Sequence, residues 1–266
     1  MKACGITDVG LQRHENQDTF AVERGAADGQ LIAVVCDGMG GENCGQIASS
    51  LAVRAFLDEL HAVLRADMTT EQLREAVSFC VSKANAAVNR HAQEHTECHG
   101  MGTTLVSAVT NGSGAVICNV GDSRIYLQRG GALQRISRDH TKYQERLDAG
   151  AAGDADDADD SPDRHVLTQY LGMLGARQRL MPYFAAGVPL AVGDRLLLCT
   201  DGLTGKLSDS RLQAVLGADM PLPELGQALM AQALDAGPGD NITLVLIEVT
   251  ALDPETAVPL PQPPVE

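Results

Sequence analysis

Two short apolar runs stand out along the chain, Leu31 to Cys36 and Leu196 to Cys199; each is closed by a polar turn, Asp37-Gly38 in the first case and Thr200-Asp201-Gly202 in the second. Runs of this length bounded by turn residues predict strands buried on both faces. A related pattern, Val116-Ile117-Cys118-Asn119-Val120, leads into Gly121-Asp122-Ser123. Elsewhere the period changes. Between Gly45 and Leu64 the apolar positions Ile47, Ala48, Leu51, Ala52, Ala55, Phe56 and Leu60 fall on one helical face. From Met68 to Gln93 the same spacing continues through Leu73, Val77, Phe79, Val81 and Val88, which predicts a second long helix beside the first. Residues 2–24 read as two strands around the polar loop Arg13 to Asp18, with Asp28-Gly29 turning the chain into the strand that ends at Asp37. Residues 103–136 read as a meander of short strands with turns at Asn111-Gly112 and Gly130-Gly131. Beyond it the pattern predicts helices over 141–149, 208–216 and 222–235, and strands over 178–184, 195–200 and 242–249.

Strands and helices come in blocks of like kind, which predicts an α+β fold built on antiparallel sheets and argues against a doubly wound parallel one. No composition break divides the chain, so one domain is expected over residues 1–250. The acidic run Asp154 to Asp160 predicts a solvated, flap-like segment at about 142–164, and the proline-rich residues 251–266 predict a disordered tail. Aromatics are only 3% of the chain and tryptophan is absent, so small aliphatics must fill the core.

A formal net charge of −15 disfavours nucleic acid and anionic membrane surfaces as partners. No apolar run approaches the roughly 20 residues needed to cross a bilayer, and Met1 to Gly10 lacks a leader pattern; cytoplasm is the expected location. The seven cysteines form no Cys-x-x-Cys pair and are expected as reduced, mostly buried thiols.

Candidate chemistry sits where the strands end. Asp37, Asp122 and Asp201 each close an apolar strand, Asp18 closes the first polar loop, and Asp240 opens the final strand. Hard divalent cations take oxygen ligands, carboxylates above all, so these aspartates could build a multi-metal site. The alternative for each is a turn aspartate or a structural hydrogen-bonder, and for Arg13 an ordinary surface ion pair. His91, His95, His99 and Cys98, with Glu94 and Glu97, imitate a zinc site but fit better as the solvated end of a helix.

Taken together, Arg13-x-x-Asn16-Gln17-Asp18, Asp37-Gly38-Met39-Gly40-Gly41, Gly102-Thr103-Thr104, Val120-Gly121-Asp122-Ser123-Arg124, Asp139-His140-Thr141, Thr200-Asp201-Gly202 and Asp240-Asn241 resemble the metal-dependent Ser/Thr protein phosphatases of type 2C. The resemblance spans residues 8–248 and is nearest to single-domain bacterial members. It implies a sandwich of two antiparallel sheets flanked by helix pairs, with two Mn²⁺ or Mg²⁺ ions at one end. Metal-ligand roles would fall on Asp37, bridging the ions, on the Gly38 carbonyl, and on Asp201 and Asp240. Asp18 would act through water, Asp122 would hold a third, weaker ion, and Arg13 would pair with the substrate phosphate. Asp37, Asp18 and Arg13 would thus carry the catalysis. The implied activity is hydrolysis of phosphoserine and phosphothreonine on proteins by metal-activated water, without a phospho-enzyme, by a monomer opposing a Ser/Thr kinase.

Some positions depart from the family pattern. Met39 and Glu42 stand where relatives with a proposed acid catalyst carry histidine, leaving His140 or water for that task, and Gln169 stands where many relatives have arginine. The aspartate run of the flap would favour basic phosphopeptides. Alternative readings are a pseudophosphatase that binds phosphoproteins without turnover and a phosphatase of small metabolites.

Overall fold

A computed structural model of the chain describes residues 1–25, 29–41, 43–112, 114–150, 161–173, 179–237 and 239–251. In chain order the strands are β1 (Lys2–Asp8), β2 (Asp18–Arg24), β3 (Leu31–Met39), β4 (Gly102–Thr103), β5 (Leu105–Thr110), β6 (Gly114–Val120), β7 (Arg124–Arg129), β8 (Ala132–Arg135), β9 (Tyr183–Pro189), β10 (Arg195–Cys199) and β11 (Ile242–Glu248). The helices are α1 (Cys44–Val63), α2 (Thr70–Glu94), α3 (Lys142–Asp148), α4 (Asp201–Thr204), α5 (Asp209–Leu216) and α6 (Leu222–Asp235).

The strands form two sheets with antiparallel neighbours throughout. One runs β1-β11-β10-β7-β8; the other runs β2-β3-β5-β6-β9, with β4 beside the end of β3. Although β1 and β2 are consecutive, they lie in different sheets, and β1 pairs along its whole length with β11 from the far end of the chain. The loop between β1 and β2 therefore crosses from one sheet to the other at one end of the sandwich.

Alternation along the central strands explains the unbroken apolar runs. Ala33 and Val35 of β3 face Leu196 and Leu198 of β10 and Val245 and Ile247 of β11 in the layer between the sheets. The intervening Ile32, Val34 and Cys36 pack instead under α1 and α2. On the other sheet Leu197, Leu244 and Leu246 pack under α5 and α6. Both faces of each sheet are thus covered, and only small and medium aliphatics recur at these contacts. Helix α2 opens with a capping box in which the Thr69 hydroxyl accepts from Gln72 N and the Gln72 side chain accepts from Thr69 N.

The α+β sandwich agrees with the expectation from sequence, and four particulars differ or fall outside it. Phe79 is 44% exposed, because it lies two residues from Val77 and so points away from the buried face of Leu73, Val77, Cys80 and Val81; its ring takes the Lys83 ammonium at 5.1 Å. Cys44 and Cys98 are not reduced thiols but are joined in a disulfide 54 residues apart. The α1–α2 hairpin explains this: it returns the end of α2 to the start of α1. Cys36, Cys80, Cys118 and Cys199 are buried and free, as expected. The strand expected at 178–184 starts later, at Tyr183, and is only half-buried at the sheet edge, where the apolar signal is weak. The acidic run Asp154 to Asp160 and residues 252–266 lie outside the described residues. His91 and His95 stack at the end of α2 with ring centroids 4.1 Å apart, and the Cys98 sulfur is engaged in the disulfide. Among the described residues no helix is long and apolar enough to cross a membrane.

Candidate active site

Both sheets send aspartates to one end of the sandwich. In the register of β2 and β3, Asp18 lies directly opposite Asp37. Like charges in that relation repel, so the pair needs protons or a cation between them. The backbone of Asp37 is gripped by the β4 segment: Thr103 Oγ1 donates to its carbonyl at 2.8 Å, and its N–H donates to Thr104 Oγ1 at 2.9 Å. Gly38 follows, with its N–H donating to the Gln17 carbonyl at 3.1 Å. A Cβ at Gly38 would stand 2.0 Å from the Gly45 carbonyl oxygen, so only glycine allows α1 to approach the strand this closely.

From the other sheet, Thr200 follows β10 directly, and its hydroxyl donates to Asp18 Oδ2 at 3.0 Å while accepting from Thr243 N at 3.0 Å. Asp201 begins α4, Asp240 lies two residues before β11, and Asp122 lies in the turn from β6 to β7. Arg13, half-exposed, donates to Asp240 Oδ2 at 2.8 Å. The structure thus gathers Asp18, Asp37, Gly38, Asp122, Asp201 and Asp240 at one cleft, with Arg13 at its rim.

The electrostatics of this cleft are those of an anion cluster that Arg13 and Arg124 compensate only in part. Burial pushes Asp18 up to about 7; the Thr243 and Thr200 hydroxyls pull it back, and the Asp201 and Asp240 charges add to the rise. Burial raises Asp122 to about 8, with Asp201 and Asp139 contributing. Asp37 is held well above the ordinary carboxylate range by burial first and then by Asp18, Asp201, Asp122 and Asp240. Asp201 is raised by burial and by Asp240. Two buried carboxylate oxygens, Asp18 Oδ1 and Asp201 Oδ1, have no hydrogen-bond partner. Such orphaned anionic oxygens fit divalent cations. Among the described residues no three His, Cys, Asp or Glu side chains close around a single point. A cation here would complete its shell with the Gly38 carbonyl and water, which Mg²⁺ and Mn²⁺ accept.

Beside Asp122 and Asp201 opens a cavity of about 760 Å³ lined in part by Arg124, Arg135, Tyr143, His165 and Lys206. Its wall is fixed by the buried Asp139, which accepts from Arg124 Nη2 at 2.7 Å and Arg135 Nη1 at 3.2 Å. His140, a possible acid from sequence, is otherwise engaged: its Nδ1 accepts from Gly121 N at 3.2 Å, and burial lowers its pKa, so it is neutral at pH 7 and a poor proton donor. His165, which the sequence pattern did not single out, brings Nδ1 to 4.0 Å from Asp201 Oδ2. Gln169 Oε1 accepts from Met181 N rather than facing the cleft as a cation would. Glu42 lies outside the described residues. Thr200, Thr103 and Thr104 were legible only as motif neighbours; nothing in their spacing reveals which aspartate each holds.

The sequence matches the protein phosphatase 2C family over residues 12–236. It is 35% identical over 242 residues to the serine/threonine phosphatase stp of Listeria monocytogenes, an alignment covering 91% of this chain and 93% of that protein. The fold superposes on a serine/threonine phosphatase of S. agalactiae with a TM-score of 0.85 at 28% identity, covering 93% of this chain and 99% of that one. It also superposes on the catalytic domain of the serine/threonine phosphatase PstP in complex with two manganese ions, with a TM-score of 0.75 at 29% identity, covering 94% and 98% of the two chains. A cleft of carboxylates at the end of a two-sheet sandwich defines a metal-dependent phosphatase class. The chain belongs to the protein phosphatase 2C family.

Proposed function

We propose that this protein serine/threonine phosphatase works with two Mn²⁺ or Mg²⁺ ions held by Asp37, the Gly38 carbonyl, Asp201 and Asp240. Asp18 acts through ordered water, and Asp122 serves a third, weaker position. The observation that supports the assignment is the convergence of these carboxylates, two of whose buried oxygens have no hydrogen-bond partner, an arrangement whose mutual repulsion is relieved at neutral pH by retained protons or by added cations. When bound, the ions supply a water nucleophile at neutral pH and neutralise charge on the phosphoryl oxygens. The chain's own residues position the ester. The Arg13 guanidinium now spends one N–H on Asp240, and its fork suits two phosphoryl oxygens better than a lysine would. Cys36, beside Asp37, is not a candidate nucleophile: burial pushes its thiol far up, which disfavours the thiolate.

The physiological setting that fits is a monomer acting in the cytoplasm on phosphoproteins, against a Ser/Thr kinase. The aspartate run of residues 154–160 would favour basic sequences around the phosphorylated residue. No feature favours a non-catalytic binder or a metabolite phosphatase.

The test is turnover of p-nitrophenyl phosphate and a phosphothreonine peptide with Mn²⁺, with Mg²⁺ and with EDTA. Wild type should be active with metal and silent in EDTA, and Asp37→Ala and Asp201→Ala should each lose at least about a hundredfold in kcat. Undiminished turnover in EDTA, or in either variant, would sink the assignment.

A further inference from the structure

The motif Asp240-Asn241 contributes a metal-site candidate through its first residue; its second is unused by the chemistry above. Asn241 is 4% exposed, and its side chain is saturated by three hydrogen bonds to one distant segment. Its Oδ1 accepts from Gln17 N at 2.9 Å, and its Nδ2 donates to the carbonyls of Val9 and Glu15, each at 2.9 Å. Val9 to Gln17 is the crossover between the sheets, without helix or strand, and Leu11 to Glu15 are exposed. The segment has little packing of its own to hold Arg13 in place.

Its further ties are few. Between Val9 and Glu15, among the described residues, they are the Gly10 N–H donating to Asp8 Oδ1 at 2.8 Å, the Arg13–Asp240 pair and, once the Asn43 amide is turned over, a bond from that amide to the Glu15 carboxylate. Asn16 and Gln17, at the β2 end, are tied separately to Thr7, Gly38 and Ser49. The loop also rests directly on Asp240: Gly10 has φ +75°, and a Cβ there would stand 2.3 Å from the Asp240 carbonyl oxygen. Two adjacent residues therefore do complementary work. Asp240 takes the guanidinium of Arg13, and Asn241 takes the backbone on both sides of it.

We propose that Asn241 is the positioning residue that holds the Arg13 loop over the cleft and thereby sets the affinity for the phosphorylated substrate. The assignment rests on Arg13 binding the substrate phosphate as stated above. The amide is the right group because it supplies one acceptor and two donors at once. Aspartate in its place would replace Nδ2 and its two N–H donors by one oxygen facing both the Val9 and Glu15 carbonyls; serine is too short to span all three partners. Loss of the clamp removes preorganisation of a binding group and leaves the reacting atoms untouched, so it acts on KM.

The experiment uses full-length, Mn²⁺-loaded protein and a phosphothreonine peptide, with wild type, Asn241→Ser, Arg13→Ala and the double variant. Asn241→Ser should raise KM about tenfold with kcat within about threefold of wild type, and leave the calorimetric Mn²⁺ affinity unchanged. The double variant should be no worse in KM than Arg13→Ala alone, since both changes remove one interaction. A merely structural role would lower the melting temperature and kcat per total protein while leaving KM at the wild-type value. Gly10→Ala guards against a misfolded Asn241 variant: it displaces the same loop with the amide intact, and should reproduce the KM effect. If Arg13→Ala raises KM while Asn241→Ser and Gly10→Ala leave it unchanged, the positioning role is overturned alone. If Arg13→Ala leaves KM unchanged, the phosphate-binding reading of Arg13 falls, and the positioning role with it.

Discussion

Asp18 is a side chain costly to the fold and, on the proposed reading, needed by the site. It is buried, directly opposite Asp37 in the sheet register, with one oxygen held by Thr200 and the other left without a partner. Removing its charge should relieve the repulsion and, on the proposed reading, remove a contributor to the metal shell. Asp18→Asn is therefore expected to stabilise the metal-free protein at pH 8 by on the order of 1–3 kcal/mol and to weaken Mn²⁺ binding at least about tenfold. Calorimetric unfolding in EDTA and Mn²⁺ titration check the two halves separately, and a metal-free variant less stable than wild type would contradict the repulsion argument. The sequence brought these aspartates forward because each stands beside an apolar strand or a turn at its end, although a turn aspartate would read the same way. It did not reveal their supports. Thr200, Thr104 and Asn241 act across separations of 182, 67 and 224 residues, and only the folded register brings them to their partners.

At the scale of elements, the long periodic helices and the buried strands were legible, since period and burial coincide there. Where one face is exposed the signal fails: half-buried β9 begins later than its apolar residues suggest, and Phe79 looks like a core residue until the helical angle from Val77 is counted. The disulfide is a matter of element packing too. It pins the start of α1, just beyond the Gly40-Gly41 turn that follows Asp37 and Gly38, to the short 3₁₀ turn Thr96–Cys98 after α2. Closing a loop of 54 residues restricts the unfolded chain, an entropic gain of up to roughly 4 kcal/mol. Dithiothreitol, or Cys44→Ser, should thus lower the melting temperature by several degrees, and reductant should have no further effect on the variant. An unchanged wild-type melting temperature in reductant, with both thiols shown free by alkylation, would mean that the cross-link contributes nothing to stability.

For the molecule as a whole, the anion cluster couples folding to pH and to metal. Aspartate in an unfolded chain titrates near 3.9. In the folded metal-free protein Asp18 is raised to about 7 and Asp122 to about 8, with Asp37 and Asp201 raised as well. Between these limits the folded state retains protons that the unfolded chain has released, so stability must fall as pH rises. The contribution of these groups is fully present below about pH 4 and is lost as pH passes through 7 to 8. Divalent metal replaces the protons, releasing them on binding, and binds only the folded arrangement. Two trends therefore follow over pH 5 to 8. In EDTA the melting temperature should decline toward pH 8, and the increment produced by saturating Mn²⁺ should grow over the same range. With no tryptophan in the chain, far-ultraviolet circular dichroism or calorimetry is the suitable readout. A metal-free melting temperature that stays level or rises between pH 5 and 8 would show that the carboxylates are already ionised and compensated by the protein itself; the case for bound cations built on their mutual repulsion would then fail.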